Sequence, residues 1–200
     1  MLDRMISTFP HVAAFFYDKD GHEKSNKALE ALETIDDDIH DHSQIKLVKI
    51  DDPEEALEYG LTQLPALVFF EHKLPTIFEG NLENHDEVFD WMTEAAMEDK
   101  IELVTVPMLE RLFEDYKNIA AFVHDKYYYT YIPWHYLEYI ILLYSKLLFF
   151  HFRHLKHDRH ALKNLETIDD DLDLEGVILV RLADENGNVA DQYSLGIMRY

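Results

Sequence analysis

The pentapeptide Asp20, Gly21, His22, Glu23, Lys24 sets two carboxylates three residues apart around an imidazole, with a lysine behind them. It stands where the apolar run VAAFFYD, 12–18, meets residues 22–35, whose apolar members Ala28, Leu29, Leu32 and Ile35 fall at helical spacing. A helix start carries unpaired N–H groups and the positive end of the macrodipole, so Asp20 and Glu23 would each gain about 0.3–1 kcal/mol there. Two readings are open: solvated residues at a helix start, the plainer one, or a surface that recognises a ligand.

Two further clusters have metal-binding residue types. DDDIHDHSQ, 36–44, gathers Asp36, Asp37, Asp38, His40, Asp41 and His42 into what reads as one polar loop. Calcium prefers oxygen ligands, but the glycine and terminal glutamate of an EF-hand loop are missing. A solvated loop is the simpler account, with weak, diffuse Ca2+ binding over the acidic surface left open. His151, His154, His157 and His160 recur every three residues, a spacing that on a helix could hold a transition metal. No carboxylate pattern supports them, so no metal site and no cofactor is assigned.

Composition excludes more than it assigns. The chain has 200 residues and no cysteine, which removes disulfides, thiolate nucleophiles and thiolate metal sites. Its formal charge of −22 repels phosphate backbones and anionic lipid, so nucleic acid is not an expected partner. Serine-hydrolase, zinc-protease, P-loop and dinucleotide fingerprints are all missing. Residues 1–20 lack a basic start followed by an apolar run, so no secretory signal is legible and the chain reads as either cytosolic or a fragment.

The elements that would position the pentapeptide follow from local patterns. After the strand at 12–18 and the helix at 22–35, IKLVKID, 45–51, reads as a second strand. Asp52 then suits an N-cap with Pro53 at the first helical position, and Gly60 closes that short helix. LPALVFFEHKLPTIFEG, 64–80, reads as a hairpin with strands over 66–71 and 76–79. A last helix begins near Asn84, where Glu87 resembles a capping-box partner and Val88, Met92 and Ala95 share a face.

The chain also repeats itself. Residues 1–19 recur at 108–126, an offset of 107, whereas ALEALETIDDD at 28–38 recurs at 161–171, an offset of 133. The second copy therefore contains 26 additional residues, within the aromatic and aliphatic stretch 127–156. The insert is long enough to span a bilayer, but its ten Ile, Leu and Phe residues between Ile132 and Phe150 are opposed by His135, Glu138 and Lys146. Spanning would separate a strand from its packing helix, so an amphipathic or disordered extension, or a translated intron, is preferred to a membrane segment. IELVTVP, 101–107, reads as a strand opening the second copy, with no counterpart ahead of Met1. The expected organisation is a domain over 1–97 lacking its first strand, and a second copy over 98–200, interrupted near 127–156 and ending before its hairpin.

This order of elements, with a proline opening the hairpin, resembles the thioredoxin fold: an α/β domain with a mixed sheet flanked by helices. The details resemble a protein disulfide isomerase domain, in which a strand ending FYAPW runs into CGHCK at a helix start. Here FYDK runs into DGHEK, one residue shorter; Gly21, His22 and Lys24 match, and Asp20 and Glu23 stand where the cysteines would be. LPALVFF resembles the family's cis-proline segment, which makes Leu64 and Pro65 the cis-proline loop. Tandem, acidic, cysteine-free copies are similar to the noncatalytic members of this superfamily, the calsequestrin-like ones among them. The resemblance implies no enzyme activity, a recognition face at Asp20–Glu23 and the loop before Pro65, an extended polypeptide or protein partner, and an endoplasmic reticulum setting. A low-affinity calcium store is its alternative.

Overall fold

The computed structural model describes residues 1–19, 23–124, 143–144, 147–152, 166–167, 169, 171–172 and 174–183, side chains at 40–43, 122–124, 143–152 and 183 excepted. The chain divides into two units, Met1–Asp99 and Lys100–Tyr200.

In the first unit the elements run α1 (Leu2–Thr8), β1 (His11–Phe16), α2 (Glu23–Ser43), β2 (Lys46–Ile50), α3 (Pro53–Glu58), β3 (Ala66–Glu71), β4 (Leu74–Ile77) and α4 (His85–Ala95). The sheet order is β2–β1–β3–β4. β1 runs parallel to β2 and antiparallel to β3, and β3 is antiparallel to β4. The sheet is therefore mixed, with β1 and β3 central. Their apolar runs HVAAFF and ALVFFE suit burial on both faces.

Alternation along β1 and β3 divides the core in two. Ala13, Phe15, Leu67 and Phe69 meet Ala28, Leu32, Ile35 and Ile39 of α2 and Val88 and Met92 of α4. On the other face Phe16 and Phe70 lie 5.7 and 5.8 Å from the ring of Tyr59, just past the end of α3. The Tyr59 hydroxyl donates to Asp3 Oδ1 of α1 at 3.1 Å.

Several local expectations hold. Asp52 caps α3, its Oδ1 accepting from the Glu54 and Glu55 amides at 2.9 and 3.2 Å with Pro53 behind it. Gly60 follows at a φ of 73°, a conformation glycine adopts without a Cβ penalty. Asn84 caps α4 through the Glu87 amide, while Glu87 Oε1 accepts from the Asn81 amide.

Three readings need correction. Residues 36–44 are not a polar loop, because α2 continues to Ser43. Ile39, four residues beyond Ile35, extends the buried stripe and is 1% exposed, so the core holds in helix a stretch whose acids suggested a polar loop. In the hairpin, His72 and Lys73 take positive φ (46° and 79°) and form a two-residue turn, which pairs Glu71 with Leu74. β4 therefore starts at Leu74, not 76, and tolerates Pro75 because it is an edge strand.

The second unit contains β5 (Glu102–Val104), α5 (Val106–Asp115), β6 (Asn118–His124), β7 (Leu143–Tyr144), β8 (Leu147–Phe152) and β9 (Val177–Ala183), in the order β5–β9–β6–β8–β7. Residues 166–167, 169, 171–172 and 174 are helical. The third correction concerns the insert. Its described residues are strands, neither a spanning helix nor a disordered extension, and β8 pairs parallel with β6 on the side opposite β9. An apolar stretch rich in Leu and Phe satisfies its backbone on an open sheet edge as readily as in a helix. No helix among the described residues is long and apolar enough to cross a membrane.

Candidate functional site

Register places the proline loop. Phe16, the last residue of β1, is paired with Ala66, the first of β3, so Leu64 and Pro65 lie at the sheet end from which β1 runs toward α2. The Leu64–Pro65 peptide bond is cis, as the LPALVFF resemblance implies. Leu64, Pro65 and Ala66 are all half-buried, and Thr62 and Gln63 before them are exposed.

The chain leaving β1 is tied to the same sheet end by two backbone donors. The Tyr17 amide donates to the Ile50 carbonyl at 3.0 Å, and the Lys19 amide donates to Asp51 Oδ1 at 3.0 Å. The Tyr17 ring stacks on Phe15 at 5.5 Å. Asp51 therefore anchors the exit from β1, while its neighbour Asp52 starts α3. Sequence reasoning assigned the cap to Asp52 but missed the role of Asp51, which depends on a partner 32 residues away.

Of the pentapeptide, Asp20, Gly21 and His22 lie outside the described residues. Glu23 is the first residue of α2, and both it and Lys24 are exposed. Glu23 Oε1 and Lys27 Nζ form an i,i+4 pair at 2.9 Å. The hydrogen bond from Lys27, and then its charge, hold the Glu23 carboxyl below the usual glutamate range. The Lys27 ammonium is correspondingly raised, by the bond to Glu23 first, then by its charge and by those of Glu83 and Glu30. Glu23 thus pairs within the first turns of α2.

Ser25, two residues on, was not singled out by its sequence. It is 0% exposed, and its Oγ has no hydrogen-bond partner among the described residues. Serine in a first helical turn ordinarily signals capping, a pattern that hides burial.

The metal candidates divide. Asp36, Asp37 and Asp38 are consecutive on α2, where neighbouring residues fan out around the axis instead of converging on one ion. The side chains of His40, Asp41, His42 and His151 lie outside the described set, as do His154, His157 and His160. Among the described residues no group of three or more His, Asp or Glu is arranged to hold a metal. With no cysteine in the chain, thiol–disulfide exchange has no nucleophile.

No protein-family model matches the chain, and no curated protein matches it in sequence. Among solved structures it is similar to a mutant thioredoxin from Halobacterium salinarum NRC-1, at 24% identity over 49% of this chain and 84% of that one, with a TM-score of 0.40. It is similar to the first thioredoxin domain of mouse protein disulfide-isomerase A4 at 17% identity over 49% and 71% of the two chains, with a TM-score of 0.44. Human ERp44 shares 13% identity over 96% of this chain and 48% of that protein, with a TM-score of 0.46. By its own β2–β1–β3–β4 order, helices on both sheet faces and cis-proline before the antiparallel hairpin, the first unit has the thioredoxin-like fold.

Proposed function

We propose that the protein is a redox-inactive, thioredoxin-like module that binds extended polypeptide at the Leu64–Pro65 end of the first unit, as one domain of a tandem scaffold. The observation that carries this reading is the Phe16–Ala66 register, which keeps the proline loop beside the exit of β1 although the chain has no thiol. A half-buried loop preceded by the exposed Thr62 and Gln63 offers backbone groups to an extended chain, a mode of recognition that needs no catalytic group. The second copy, interrupted by its insert, would serve as a partner domain in such a scaffold, and the resemblance favours an endoplasmic reticulum setting.

The net charge of −22 favours a second reading, weak calcium storage. Parallel calorimetric titrations separate the two. A peptide-binding module gives saturable heat with an unstructured, cysteine-free peptide and none with calcium. A store gives the reverse, with several weak calcium sites.

A further inference from the structure

We infer that the insert gives the second unit a hairpin docked in reverse, and so takes from it the sheet end at which the first unit binds polypeptide. The reversed docking is independent of the function proposed above, whereas its consequence for binding rests on that reading. The two sheets share a frame. Residues 1–19 recur at 108–126, and IKLVKIDD, 45–52, matches VILVRLAD, 177–184. Register agrees: Ala13 and Ala14 of β1 pair with Leu47 and Val48 of β2, as Ala120 and Ala121 of β6 pair with Leu179 and Val180 of β9. β6 and β9 are therefore the counterparts of β1 and β2.

On the other side of the central strand the units part. In the first unit β3 lies against β1 with β4 outside it, and in the second β8 lies against β6 with β7 outside it. Both pairs are antiparallel, but the first docks by its leading strand and the second by its trailing one. The two strands of a hairpin run in opposite directions, so β3 is antiparallel to β1 and β8 is parallel to β6. Direction decides from which sheet end the chain enters. Ala66, the first residue of β3, faces Phe16 at the end of β1, whereas Leu147, the first residue of β8, faces Ile119, the counterpart of Val12 near the start of β1. Phe152, the last residue of β8, faces His124. The chain leaves β8 at the sheet end where it enters β3, and the position that Leu64–Pro65 hold in the first unit, just ahead of the strand, falls at the opposite end.

A second difference acts at the same end. In the first unit the Lys19 amide donates to Asp51 Oδ1, but the residue matching Asp51 is Ala183, which has no side-chain acceptor. Residues 134–156 contain no proline, so none stands next to β8 to turn the chain through a cis bond. With β9 on one side and β8 on the other, β6 has no open side on which a further strand could restore the arrangement. The insert thus completes the sheet of the second unit and makes that unit a structural partner of the binding domain.

The test uses the full chain and an unstructured, cysteine-free peptide. Calorimetry should count one peptide per chain, and NMR should place the shifts at Tyr17, Leu64 and Ala66 with none at Val123, His124 or Leu182. A second equivalent of peptide, or shifts at Val123, His124 and Leu182, overturns the inference. Interstrand Overhauser contacts in the unsubstituted chain decide the docking without any ligand: Ile119 with Leu147 and His124 with Phe152 are expected. Contacts of Ile119 with Phe152 instead would make β8 antiparallel like β3 and overturn the inference as well. The expected contacts together with no binding by either unit uphold the reversed docking and sink the proposed function alone.

Discussion

Phe16 and Ala66 face one another at the last rung of the antiparallel β1–β3 ladder, which fixes Leu64–Pro65 at the sheet end where β1 departs for α2. The relationship is a property of register and does not depend on which residues occupy the helix start. The scaffold around the proline loop therefore stays in place in a chain that has no cysteine.

Each member of the Glu23–Lys27 pair should titrate under the influence of the other. The depressed Glu23 carboxyl contributes stability that is present above its unfolded-state pKa and is lost as pH falls through its folded one; the raised Lys27 contributes below its unfolded pKa and is lost as pH rises through its folded one. NMR titration of the Glu23 carboxyl should show its midpoint rising in Lys27→Met. An unchanged midpoint would mean that the pair does not form in solution.

Ile39→Ala should cost about 2–5 kcal/mol, the range for a core isoleucine truncated to its Cβ. Chemical denaturation measures it. A loss below about 0.5 kcal/mol, the level of a surface substitution, would mean that α2 ends before Ile39.

These two predictions bear on what the sequence could reveal. Asp52 with Pro53 and Asn84 with Glu87 were legible because a cap is chemistry between near neighbours. The end of α2 was not, because Asp36–Asp38 suggest a polar loop and only tertiary burial of Ile39 decides otherwise. β8 was missed for a related reason: its pairing with β6 is non-local, and an apolar run does not state its partner. Of the site, the cis-proline and Glu23 at the helix start were legible, whereas Ser25 and Asp51 depend on burial and long-range contact.

Ser25→Ala should raise stability by about 1 kcal/mol, since it removes a buried hydroxyl and improves helix propensity. Thermal unfolding decides this, and a lowered midpoint would show that the hydroxyl has a partner in solution.

Asp52→Ala should cost about 1 kcal/mol, and Asp52→Asn much less, because the amide oxygen can still accept from the Glu54 and Glu55 amides. Equal losses in both variants would place the effect in charge rather than in capping.

The central claim is that the thiol-free first unit binds extended polypeptide at its proline loop. Amide-resolved NMR of the full chain, titrated with an unstructured, cysteine-free peptide, tests it most directly. The account predicts saturable shifts clustered at Tyr17, Lys19, Glu23, Leu64 and Ala66, unaffected by calcium. An absence of shifts at these residues up to millimolar peptide, with weak multisite shifts on calcium addition instead, would contradict it.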